Sequence, residues 1–95
     1  MAQFIVRIEL HGAKGEDYSK LHSAMGHHGF LRTLTGTDGI VYLLPTAEYI
    51  RSGVGLTAAK VRADAVAGGS TVYGKFAVLV AETSGPIMWS GLERA

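Results

Sequence analysis

The 95-residue sequence predicts an α+β fold of four strands and two helices, in the order strand, helix, strand, strand, helix, strand. Three observations carry this. Along residues 3–10, Phe4, Val6, Ile8 and Leu10 alternate with Gln3, Ile5, Arg7 and Glu9, the period of a half-buried strand. Two later segments, 16–28 and 57–67, place apolar residues at helical spacing. Asp38-Gly39 sits between two short β-rich runs, and glycine's tolerance of positive φ makes that pair a strong hairpin signal.

Each element follows from its residues. In the first strand Phe4, Val6, Ile8 and Leu10 form the face expected to meet the helices, and His11-Gly12 ends it. Along the first helix Tyr18, Leu21 and Met25 fall on one stripe. Glu16 and Asp17 suit the positive N-terminal pole, and His27 and His28 the negative one. Gly29 is placed to cap the C-terminus. Phe30–Thr35 and Ile40–Leu44 are read as the second and third strands, closed by Pro45, which cannot donate to a ladder. Thr46–Gly55 is expected to be a loop. Thr57 then serves as N-cap, with Leu56 and Val61 as hydrophobic staple, for a helix ending at Gly68-Gly69. Lys75–Glu82 is apolar on both faces, as a doubly buried strand is, and Ser84-Gly85-Pro86 breaks it.

That element order is the split βαβ pattern of a ferredoxin-like sandwich. Right-handed crossovers put both helices on one face of a four-stranded antiparallel sheet of order 4-1-3-2. The other face would carry Ile5, Val41, Leu43 and Leu79, or the set of opposite parity. Residues 1–85 form the domain. Residues 86–95 form a tail whose Ile87, Met88 and Trp89 suggest a contact in a homodimer.

Composition narrows the partners. Hydrophobic residues make up 47% and charged ones 18%, which is a folding composition. Nine basic residues against eight acidic ones give a net charge of +1, so no basic footprint points to DNA or a membrane. With no cysteine there is no disulfide frame and no thiolate zinc site. No apolar run approaches the ~20 residues of a membrane span. A cytoplasmic protein without cofactor is expected.

Candidate chemistry rests on the histidines. His22 and His28 flank the apolar stripe of the first helix at opposite edges. They either pack at the helix–sheet border with a wet polar tip, or perform acid–base work near neutral pH. His27 and His28 point about 100° apart on a helix and chelate poorly, so no metal site is expected. Arg7 and Glu9 share a strand face, as an ordinary ion pair or with Arg7 as a phosphate contact. Arg62 lies in the apolar arc of the second helix and is read as snorkelling. The glycines form neither a dinucleotide nor a phosphate loop.

Several segments resemble small bacterial proteins grouped with the GhoS-type endoribonuclease antitoxins. They are the N-terminal Phe4-Ile5-Val6-Arg7-Ile8-Glu9-Leu10-His11, Asp17-Tyr18, Leu21-His22, Gly29-Phe30, Arg32-Thr33, and above all Leu44-Pro45-Thr46-Ala47-Glu48-Tyr49. The likeness covers roughly residues 3–84. It implies a ferredoxin-like fold and cleavage of a toxin-encoding messenger RNA. Where the antitoxin's first helix bears an arginine, this chain has His22, and an aromatic of its third strand falls at Tyr42. The related CRISPR-associated nuclease keeps a metal-binding Asp at the end of strand one; here Glu9 and His11 stand nearby instead. On the resemblance, His22 is the first acid–base candidate, with His28 or His11 as the second. Arg7 or Arg32 would hold phosphate, and Tyr42 would stack a base of single-stranded RNA. The alternative is a non-catalytic homodimeric regulatory or interaction domain.

Overall fold

The computed structural model describes residues 2–95. Its elements are β1 (Ala2–Leu10), α1 (Gly15–His27), β2 (Thr33–Thr35), β3 (Val41–Leu43), β4 (Glu48–Gly53), α2 (Ala58–Ser70) and β5 (Phe76–Glu82). The fold is α+β, with two helices and antiparallel sheets. β1 is the central strand of a three-stranded sheet of order β4-β1-β5, and β2 and β3 form a separate ribbon.

The alternation in β1 sorts its residues as expected. Phe4, Val6 and Ile8 are at most 1% exposed, whereas Arg7 and Glu9 are solvent-facing. Beneath this row lie Leu21 and Met25 of α1, Val61 and Ala65 of α2, and Phe30 and Tyr49. The α1 N-terminus is held by the Asp17 carboxylate, which accepts the Lys14 N–H at 2.9 Å. Its C-terminus is a Schellman motif: Phe30 N–H donates to Met25 C=O and Gly29 N–H to Gly26 C=O, with Gly29 at φ +85°. Thr57 caps α2 by accepting the Lys60 N–H at 3.2 Å.

The largest correction concerns the third strand of the main sheet. Ile40–Leu44 does not enter that sheet; its core, β3, pairs with β2 across the Asp38-Gly39 hairpin. The strand beside β1 is β4, within the segment expected to be a loop. Val41 and Leu43 therefore do not join Ile5 and Leu79 on the outer face. Two features build β4. A turn closed by Glu48 N–H to Pro45 C=O reverses the chain, with Ala47 at φ +66°. Tyr49, fully buried, then anchors the strand opposite Val6. A left-handed alanine costs about 1–2 kcal/mol, offset here by burial of its methyl group and by the Ala47 carbonyl accepting the Ile8 N–H.

Two further differences are local. α2 continues through Gly68 and Gly69 to Ser70, because both glycines are packing positions. A Cβ on Gly68 would stand 2.9 Å from the Met25 sulfur, and one on Gly69 would stand 3.0 Å from the Phe76 ring. The C-terminal tail folds back onto the ribbon. Leu43 N–H donates to Glu93 C=O and Ala95 N–H to Val41 C=O, while Trp89 packs on Tyr42 at 5.4 Å between ring centroids. Leu31 and Ile50 exchange both backbone hydrogen bonds, tying the entry of the ribbon to the outer edge of β4.

Candidate functional site

The Schellman turn after α1 places Phe30 in the core and sends the chain past β4 toward the ribbon, and Arg32 lies on that path. His22 stands one turn before the end of the α1 core stripe. Tyr49 rises from β4 beneath it. The His22 Nδ1 and the Tyr49 hydroxyl are 2.7 Å apart, and the two rings meet edge to face with centroids at 5.8 Å. Phe30 closes the far side of Tyr49 in a second T-shaped contact.

Electrostatics fix the protonation of this pair. Burial, then the positive Arg32 nearby, lower the His22 pKa below its ordinary 6.5, so the imidazole is neutral at pH 7. Burial pushes the Tyr49 phenol up to about 12, so it keeps its proton. A phenol both donates and accepts. When Nδ1–H donates to the Tyr49 oxygen, the Nε2 lone pair is free to take a proton. Arg32 brings an unusual feature: its Nε is buried and has no hydrogen-bond partner. A buried donor left unpaired costs about 1–3 kcal/mol.

Around this pair, the Tyr18 hydroxyl accepts the Leu10 N–H at 3.0 Å, where β4 no longer covers the β1 edge. A hollow of about 120 Å³ opens there, lined by Arg7, Ile8, Glu9, Tyr18, Thr46 and Ala47. A larger open groove of about 700 Å³ lies on the other side of the sheet, between Ile50, the β2 strand and the tail residues Pro86–Trp89.

The other sequence-derived candidates disperse. His28 packs between the helices, with its ring 3.3 Å from where a Gly68 Cβ would be. His11 is exposed at the end of β1, its Nδ1 3.4 Å from Glu9. Arg7 lies on the outer face, in register with Glu48 and Leu79. Tyr42 donates to Asp38 at 2.9 Å and is covered by Trp89, so its ring is already partnered. Of the six residues, only His22 and Arg32 act on one another, through the Arg32 charge that helps to lower the His22 pKa. Tyr49 completes their group; it stood in the most distinctive segment of the sequence, but nothing local tied it to His22.

Arg51 forms a separate polar arrangement. It donates to Asp64 at 3.1 Å and stacks over Phe30 at 5.1 Å, while Lys60 reaches the same carboxylate at 2.9 Å. Lys60, and then Arg51, hold Asp64 below the usual carboxylate range. Among the described residues, no three His, Asp or Glu side chains converge as metal ligands, and no helix is long and apolar enough to cross a membrane. Compared with known proteins, the sequence matches no family model, no curated protein and no solved structure.

Proposed function

We propose that the chain is a metal-independent endoribonuclease of the antitoxin kind, cleaving a toxin-encoding messenger RNA with His22 as its proton-transfer group and Arg32 as its phosphate-binding group. The observation that supports this reading is the neutral imidazole of His22, held through Nδ1 by the buried Tyr49 hydroxyl and subject to the positive charge of Arg32. In the step proposed, His22 Nε2 takes the proton of a 2′-hydroxyl and the 2′ oxygen bonds to phosphorus. The bond to the 5′ oxygen breaks, and that oxygen receives the proton from the imidazolium. Arg32 offsets the negative charge gathering on the phosphoryl oxygens. Tyr49 is fully buried and acts as a positioning residue through Nδ1.

The fold supports the same reading. If the β2–β3 ribbon is taken as an insertion, the order β5-β1-β4, with Leu31 bridged to the β4 edge, follows a ferredoxin-like sheet. A second reading, a non-catalytic interaction domain, is favoured by the dispersal of His11 and His28, which leaves His22 without a second proton-transfer histidine.

Incubating the purified protein with structured bacterial transcripts in EDTA separates the two. The endoribonuclease reading expects cleavage that persists in EDTA and falls roughly 10²–10⁴-fold in His22→Ala. Arg32→Ala should also slow it. Because the His22 pKa lies below 6.5, activity should hold at pH 7 and decline as the pH falls past that value. An inactive wild type would favour the interaction domain. Equal cleavage by wild type and His22→Ala would remove the site.

A further inference from the structure

β5 is the outermost strand of the main sheet, and its free edge is long and regular. It pairs with β1 without a bulge from Phe76 to Glu82. Natural edges are blunted by proline, inward-facing charge or bulges, yet residues 76–81 read Phe-Ala-Val-Leu-Val-Ala.

The direction of every backbone group on this strand can be assigned. His11 N–H donates to Lys75 C=O, and Thr83 N–H donates to Gln3 C=O. Odd-numbered residues therefore turn their polar backbone toward β1. The N–H and C=O groups of Phe76, Val78, Val80 and Glu82 point outward, and no other backbone segment among the described residues bonds to them. The core is also thinner here. Val78 and Val80 face the helices as Ile8 and Val6 do, but they stay half-exposed. On the outer face Leu79 is 67% exposed.

We propose that β5 pairs antiparallel with β5 of a second copy of this chain, about a two-fold axis through Leu79, joining two sheets into one. The register follows from parity. Hydrogen-bonded pairs must join outward-pointing residues, which are even-numbered. Centring on Leu79 joins Val78 to Val80 of the second copy and Phe76 to its Glu82, so all four outward residues are paired. Centring on Val78 or Val80 leaves part of the strand unpaired. Centring on Glu82 sets like charges face to face. About Leu79, Glu82 of each strand instead stands opposite Phe76 of the other, so no two like charges oppose one another along the ladder. The two Leu79 side chains meet across a pair without hydrogen bonds, where Cα atoms approach to about 4.5 Å. This proposal is independent of RNA cleavage.

The absence of native cysteine makes the register directly readable. Leu79→Cys sits at an exposed position and at a separation that a disulfide spans. It should give a covalent dimer on mild oxidation. Ala77→Cys and Ala81→Cys each face the other position across the axis, so neither should cross-link to its own copy. Sedimentation at tens of micromolar should show a dimer for wild type. Val80→Pro removes an outward N–H and no internal ladder bond, so it should sediment as a monomer with an unchanged far-ultraviolet circular dichroism spectrum. A monomeric wild type overturns the proposal. So does equal cross-linking of the three cysteine variants, or a wild-type dimer in which Leu79→Cys fails to cross-link.

Discussion

At the scale of single residues, His22 and Tyr49 make a coupled test of the site. Tyr49→Phe keeps the ring between His22 and Phe30 but removes the oxygen 2.7 Å from Nδ1. It should destabilise the protein by about 1–2 kcal/mol in urea unfolding, the cost of a lost, partly buried hydrogen bond. The pH dependence has a sign at each end. The folded pKa of His22 is depressed, so its contribution is fully present above pH 6.5 and is lost as the pH falls through the folded value. Tyr49 is raised, so its contribution is fully present below pH 10 and is lost as the pH rises through about 12. Unfolding free energy followed from pH 5 to 11 should decline at both limits, and the alkaline decline should shrink in Tyr49→Phe. An unaltered alkaline limb would mean that another group controls it. His22 was legible as a candidate because histidine titrates near neutrality. Its partner was not, because 27 residues separate the two and only the β4 register unites them.

Among the elements, legibility followed the strength of local periodicity. β1 alternates without exception in its core-facing positions, and α1 carries both its stripe and its glycine stop. β4 was hidden for a physical reason. Its inward positions are Tyr49, Arg51 and Gly53, of which only Tyr49 is strongly apolar. Arg51 is accommodated there by stacking on Phe30 and pairing with Asp64, partners contributed by distant segments. Gly53 gives way to Leu56, whose side chain would lie 2.9 Å from an added Cβ. A similar ambiguity attached to Gly68-Gly69. A glycine pair reads as a helix stop, whereas here it lets α2 approach Met25 and Phe76. Gly68→Val should therefore destabilise the fold by about 1–3 kcal/mol through overpacking against Met25, despite valine's better helix propensity. A chemical-denaturation midpoint equal to that of wild type would show that Met25 simply swings aside.

For the whole molecule, the pairing of Phe4 with Glu82 has a consequence in time. The strand at the centre of the sheet cannot be enclosed until a segment nearly eighty residues distant in the sequence has returned to it. Closing so large a loop carries an entropic cost before any contact offsets it, and non-local ladders slow folding accordingly. The α1 hairpin onto β1 and the β2–β3 ribbon are local and form early by the same reasoning. The β1–β5 ladder then becomes the step that limits the rate. Refolding by stopped flow should run on the order of milliseconds to seconds rather than microseconds. Val6→Ala, at the meeting point of both ladders, should slow refolding more than Leu34→Ala in the ribbon, which should chiefly speed unfolding. The waiting time matters because, until β5 docks, β1 presents an apolar row with one open flank, and it is during this interval that the chain is most exposed to misassociation with other unfinished chains.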